Sequence, residues 1–205
     1  MDGNSLIQVL ITVVSYYFFS REFFKFSAEI RRKPISGRLH FACFFFVYLW
    51  FFIASCLELP LVVNWFIFLI LLGLEVRLAF SFDLLVSYGL ALFCAIMGLA
   101  VNVFFRSLVS ILLNIPISTF DNALSSIKSF PIFLGFTAMV FLMYGLRRSH
   151  FSSRLERMMR YRKSLVFYTW TEVFIYLFLM IQLLAYSQSG NEMGIKTWGI
   201  KSAVF

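Results

Sequence analysis

The sequence has few charged residues, histidines and cysteines for a chain of 205 residues. Only 14% of the residues are charged, and the chain holds two histidines and three cysteines. Apolar and aromatic residues make up 61%, whereas a soluble domain has about 45–50% apolar and about 25% charged residues. A water-soluble fold could not bury so much apolar surface. The composition therefore excludes soluble enzymes, nucleic-acid-binding domains and disordered chains.

The few reactive side chains do not form a recognisable catalytic or metal site. Cys43, Cys56 and Cys94 lie in or beside apolar runs, and an odd number of such thiols argues against a disulfide framework. The sequence contains no Cys and His residues at the spacing of a zinc site. It also lacks the nucleophile-elbow, HExxH, phosphate-loop and GxGxxG motifs. His40 and Cys43 stand three residues apart and could pair on a helix, although packing at the start of an apolar run is the favoured interpretation. We predict no catalytic residue, metal or cofactor in this chain.

Long apolar runs dominate the sequence, and they show no period-2 alternation. A membrane-spanning helix needs about 20 mostly apolar residues, and backbone groups in lipid must be satisfied internally. We predict an all-α fold, a polytopic transmembrane helical bundle with six spans and a possible truncated seventh starting near Ile200. The predicted spans are 5–19, 39–57, 59–74, 78–105, 131–146 and 165–187.

The basic residues predict the orientation of these spans. Most of the 18 Lys and Arg residues follow the first, third and fifth predicted spans, which are alternate connections. Lys and Arg close to span ends remain on the cytoplasmic side. The sequence therefore predicts a multi-pass protein of the cell membrane with its N-terminus outside.

The segment 147–163 has the pattern of a basic amphipathic helix on the inner membrane surface. Phe151, Leu155, Met158 and Met159 fall on one helical face. The predicted inner-surface basic residues are Arg147, Arg148, Arg154, Arg157 and Arg160. These charges either set the topology alone or also bind membrane lipids.

The segment 106–130 is the long outer connection of the predicted topology. Its pattern indicates a helix, a break at Pro116 and a second short helix that starts near Ser118. One interpretation is a connector lying on the membrane. The other is the rim of an extracellular ligand pocket with Asn114, Asp121 and Asn122 as its polar contacts.

Several polar side chains fall inside the predicted spans. Asp83, Asn102, Glu172 and Gln182 are the predicted intramembrane polar residues. A carboxylate at membrane depth is costly, so it either hydrogen-bonds between helices or takes part in function. Glu172 has no partner nearby in the sequence, which makes it the better candidate for ligand binding.

The order of these features resembles a known class of membrane sensors. A basic 20–38 loop, two very short connections, the stretch Phe120-Asp-Asn and the stretch Ser129-Phe-Pro-Ile-Phe-Leu134 are similar to the membrane region of peptide-pheromone receptor histidine kinases. These are Gram-positive proteins of the accessory-gene-regulator and competence type, acting in quorum sensing through two-component systems.

The resemblance implies a receptor for an extracellular peptide that signals, as a homodimer, to a cytoplasmic kinase or cyclase domain absent from this chain. The chain itself would not be an enzyme, and no nucleic acid would bind it. Two alternatives stay open. One is the substrate-binding membrane component of a vitamin-type importer. The other is a membrane peptide-processing endopeptidase. The stretch Arg38-Leu-His40-Phe-Ala-Cys43 of this chain does not match the His and Cys pattern of that family.

Overall fold

The computed structural model describes residues 3–56, 61–114, 129–159 and 161–189, and within these ranges it contains helices and no strands. The described part holds seven helices, which confirms the all-α fold class. They are α1 (Gly3–Arg31), α2 (Gly37–Cys56), α3 (Leu61–Phe80), α4 (Leu84–Leu113), α5 (Ser129–Arg148), α6 (Phe151–Met159) and α7 (Arg162–Ser189).

Three helices of the described part are long and apolar enough to cross a membrane, fewer than the six spans predicted. They are the stretches Val62–Phe80, Leu84–Leu113 and Arg162–Gln182 of α3, α4 and α7. The α2 helix adds a shorter apolar stretch, Gly37–Trp50. The second half of α1 carries charged residues such as Arg21, Glu22 and Lys25, so this helix is not apolar throughout.

Three helix boundaries differ from the boundaries of the predicted spans. The basic 20–38 loop is largely helical, because α1 continues to Arg31. The break between the third and fourth spans lies at 81–83, after Arg77, which occupies the last turn of α3. The α4 helix continues unbroken to Leu113, so the helix predicted at the start of the segment 106–130 is continuous with α4. Arginines at helix ends can extend their charged heads to water, which lets a helix run past them.

Asp83 lies between two helices and not within one, as the predicted fourth span had placed it. It precedes α4 as the N-terminal cap residue, in extended conformation, and its side chain is exposed. Two residues earlier, Ser81 has a positive φ of 54°, a conformation that ends α3. Asp83 therefore marks a turn between two helices, where its charge costs little.

The α4 helix lies at the centre of the described bundle and packs against α3, α5 and α7. Glycines make its contact with α3 close. A Cβ at Gly73 would stand 2.7 Å from the ring of Tyr88, and one at Gly98 would stand 3.2 Å from Trp65. Small residues of this kind allow helix backbones in membranes to approach each other.

The helices α1, α3 and α5 finish at the same end of the bundle. The Arg31 Nε donates to the carbonyl of Phe80 at 3.3 Å, which brings the ends of α1 and α3 together. The Arg147 Nε donates to a Glu29 carboxylate oxygen at 2.6 Å and joins the ends of α5 and α1. We call this end, which also holds α6, the basic end.

Candidate functional site

Two carboxylates lie in the interior of the bundle with no cationic partner among the residues that the structure describes. The side chains of Glu172 on α7 and Glu75 on α3 belong to residues that are 4% and 6% exposed. None of their four oxygens accepts a hydrogen bond from any residue that the structure describes. Unpaired buried carboxylates are costly and mark candidate functional sites in membrane proteins.

Glu172 faces α4 together with Thr169, one turn earlier on α7. The Thr169 hydroxyl is also buried and has no partner in the described ranges. Both side chains meet α4 at Gly89: a Cβ there would lie 3.3 Å from Thr169 Oγ1 and 3.7 Å from Glu172 Oε2. The glycine therefore provides the space into which these two polar groups point. We call Glu172, Thr169 and Gly89 the α4–α7 site.

Tyr168 is the neighbouring group on α7 that interacts with Glu172. Its phenol lies close enough to the Glu172 carboxylate for a weak hydrogen bond, although the geometry falls short of a well-formed one to either oxygen. No cation is available close by in the two helices. The α4 helix carries no charged residue before Arg106, and Glu172 is the one charged residue of α7 after Lys163.

Glu75 is a residue that the sequence analysis missed. It lies in electrostatic range of Tyr16 on α1 and Cys43 on α2, and Cys94 on α4 acts on the same tyrosine. Two further helices, α1 and α2, therefore approach the α3 carboxylate. The predicted third span ended at Leu74, one residue too early. Extending that run to the usual length of about 20 residues would have included Glu75.

Three carboxylates of the basic end, in contrast, are paired. Arg147 binds Glu22 and Glu29 on α1, with Nη1 and Nε each 2.6 Å from a carboxylate oxygen. Glu22 also accepts a hydrogen bond from the Lys25 ammonium group at 2.6 Å. Arg32 contacts Glu156 of α6 at 3.1 Å. We call Arg147, Glu22 and Glu29 the Arg147 network, which joins α5 to α1.

The Arg147 network shifts the pKa of Glu22. Partial burial alone would raise this pKa, but the hydrogen bonds from Lys25 and Arg147 and their positive charges outweigh it and hold the pKa below its ordinary value. The carboxylate is therefore ionised at neutral pH. Its two partners lie on different helices, so the charge contributes to the contact between α1 and α5.

The predicted amphipathic helix exists as α6, but its apolar stripe packs on protein. Leu155 is 3% exposed and belongs to the core. The ring of Phe151 stacks on Phe26 and Phe93 with centroids 6.4 and 6.0 Å apart. A stripe that contacts α1 and α4 is not free to enter lipid, which corrects the interpretation of a helix lying on the membrane by this face.

The other predicted site residues are dispersed. Asn114 is exposed and ends α4 in the left-handed conformation, while Asp121, Asn122 and Arg160 lie outside the described residues. In the spans, Asn102 is half-buried on α4 and Gln182 is exposed on α7. Of the basic residues, Arg147 belongs to its network, whereas Arg148, Arg154 and Arg157 are exposed. Of the predicted candidates, Glu172 alone belongs to the α4–α7 site.

His40 forms a contact between helices and does not bond to Cys43. Its Nε2 lies 3.1 Å from the Ser20 hydroxyl in the buried interface of α1 and α2, where the ring packs on Tyr17 and Phe24. A second polar contact joins α2 to α3, because Trp50 donates to Asn64 at 2.9 Å. These bonds account for polar side chains within apolar runs as links between helices.

Among the residues that the structure describes, no group of three or more His, Cys, Asp and Glu side chains could hold a metal ion. No protein-family model, curated protein or solved structure matches this chain. Its function must therefore be argued from its own residues.

Proposed function

We propose that this chain is a six-span membrane sensor domain with its N-terminus outside the cell. It detects an extracellular signal, a peptide, and relays it to a cytoplasmic signalling domain that is not part of these residues. Three apolar helices of sufficient length and the alternation of basic connections support the membrane topology. The basic end then faces the cytoplasm.

The observation that carries the sensor proposal is the Arg147 network. The outer connection leads directly into α5, and the last turn of α5 holds Arg147, which binds Glu22 and Glu29 of α1. A ligand held by the outer connection can therefore act on α1 through one continuous helix. A ligand that binds one arrangement of α5 and α1 more tightly shifts the population toward it.

Cysteine labelling tests the topology. In a variant with Cys43, Cys56 and Cys94 replaced by alanine, single cysteines are placed at Lys33, Ser153 and Gln188. We expect a membrane-impermeant maleimide to label Gln188→Cys on intact cells, and to label Lys33→Cys and Ser153→Cys after the membrane is opened. Labelling of Ser153→Cys on intact cells would place the basic end outside and contradict the proposal.

Binding of the peptide fraction from medium conditioned by the source cells tests the sensor function. We expect Asp121→Ala to weaken binding by roughly tenfold to a hundredfold, the effect of losing one buried hydrogen bond. Arg157→Ala, at the opposite end of the predicted topology, is the control and should bind as the wild type does. Equal effects of the two substitutions, with normal membrane insertion, would remove the outer connection from the ligand site.

A further inference from the structure

The α4–α7 site contains three buried oxygens that can accept hydrogen bonds, and one of them, the Thr169 hydroxyl, can also donate. Both Glu172 oxygens and Thr169 Oγ1 have no partner in the described part of the chain. Other hydroxyls in these helices bond backward to their own backbone: Thr171 donates to Phe167 at 2.9 Å and Ser87 to Asp83 at 2.9 Å. The Thr169 hydroxyl makes no such bond to the backbone of α7, and it points across to α4 instead.

The two side chains point to one place. The position of a Cβ on Gly89 is 3.3 Å from the Thr169 hydroxyl and 3.7 Å from the nearer Glu172 oxygen. Because Gly89 has no side chain, the backbone of α4 is uncovered on this side and its carbonyls can add to the oxygens from α7. The result is a set of oxygen ligands from two helices around a small space.

The charge of this set can be compensated by a small cation or by a proton. An ionised carboxylate in an apolar interior carries a large desolvation cost unless an opposite charge compensates it. Neither α4 before Arg106 nor α7 after Lys163 offers a basic residue, and Lys163 lies nine residues away, about 13 Å along the helix. One carboxylate neutralises one positive charge, so a divalent ion would remain uncompensated. Oxygen ligands suit hard cations.

We propose that Glu172 and Thr169, facing Gly89, bind a sodium ion between α4 and α7. The ion neutralises the carboxylate and bridges the two helices, so the site stabilises their contact. The inference needs α4 and α7 in the membrane but does not depend on an extracellular peptide. Its failure would therefore leave the sensor proposal standing.

Thermal unfolding of the full chain in lipid nanodiscs tests the site. Unfolding is measured at alkaline pH, where protons compete least, in sodium, potassium or N-methylglucamine chloride of equal ionic strength. We expect saturating sodium to raise the Tm by about 5–10 °C over the other two salts. Glu172→Gln keeps the shape of the side chain but removes its charge, and should abolish this difference.

Two further variants keep the test decisive. Glu75→Gln removes the other unpaired carboxylate of the interior and should retain the sodium effect of the wild type. Thr169→Val keeps the volume but removes one ligand, and should require roughly tenfold more sodium for the same rise in Tm. It also provides a readout if Glu172→Gln fails to fold.

Two results would overturn the assignment. One is an equal wild-type Tm in sodium and potassium, including the case in which the Tm depends on pH alone and the carboxylate binds only a proton. The other is a sodium effect that persists unchanged in Glu172→Gln, which would place the ion elsewhere in the protein.

Discussion

The carboxylates at the basic end and those in the bundle interior have opposite surroundings. Glu22 and Glu29 share Arg147, and Glu156 binds Arg32, all within 3.1 Å. Glu75 and Glu172 are more deeply buried and have no hydrogen-bond partner among the described residues. The same residue type therefore joins helices in one region and is left uncompensated in the other.

The difference follows from where the sequence places its cations. Basic residues lie at the ends of α1, α3 and α5, where water also reaches them, while α4 has Arg106 alone and α7 has none after Lys163. A carboxylate opposite those two helices must obtain compensation from a proton or an ion. Removing an acid should therefore destabilise the basic end but not the interior.

The largest effect should come from reversing the charge at the centre of the Arg147 network. Arg147→Glu places a third carboxylate beside the partly buried Glu22 and the more exposed Glu29, and leaves Lys25 as the remaining cation that contacts Glu22. We expect a loss of about 2–4 kcal/mol in unfolding free energy, less than for a fully buried pair because water screens the site in part. Denaturant unfolding of the protein in micelles measures it.

Arg148→Glu is the matched control for this substitution. It makes the same change of charge one residue later, at an exposed position, and should alter the stability only slightly. A similar loss in both variants would show that net charge, and not the specific contact with α1, accounts for the effect.

Replacing an interior carboxylate should raise the unfolding free energy, whereas the change at Arg147 lowers it. Glu75→Met fills a similar volume without a charge that needs compensation, and we expect it to stabilise the fold by about 1–3 kcal/mol. The same substitution at Glu22 removes two ion pairs and should destabilise. Unfolding of both variants under one condition gives the comparison. A loss of stability in Glu75→Met would mean that this carboxylate has a compensating partner.

The sequence predicted the elements better than their ends. Apolar runs are long enough to specify the helices α3, α4 and α7, and the stripe of Phe151, Leu155 and Met158 predicted α6. The break at 81–83 was misplaced because Arg77 was interpreted as the end of a span. A long cationic side chain is tolerated in the last turn of a helix, so charge alone does not mark the boundary.

One residue of the candidate site was predictable from the sequence, and the other two were not. Glu172 stands alone in an apolar run, so its burial followed from the sequence. Thr169 and Gly89 were not predictable, because their role depends on which faces of α4 and α7 meet. The partners of Arg147 were hidden in the same way, since more than a hundred residues separate it from Glu22 and Glu29.

The smallest effect we predict concerns the pH dependence of the Arg147 network. The folded pKa of Glu22 lies below its ordinary value, so the folded state binds this proton less readily than the unfolded chain does. The contribution of Glu22 is therefore complete above the unfolded pKa and is lost as the pH falls through the folded pKa. Between roughly pH 6 and pH 3 we expect the wild type to lose about 1 kcal/mol more than Glu22→Gln, the order of one partly exposed ion pair. Arg148→Gln, which removes an exposed charge that does not titrate in this range, should follow the wild type. Parallel curves for the wild type and Glu22→Gln would show that Glu22 does not contribute its charge to the contact between α1 and α5.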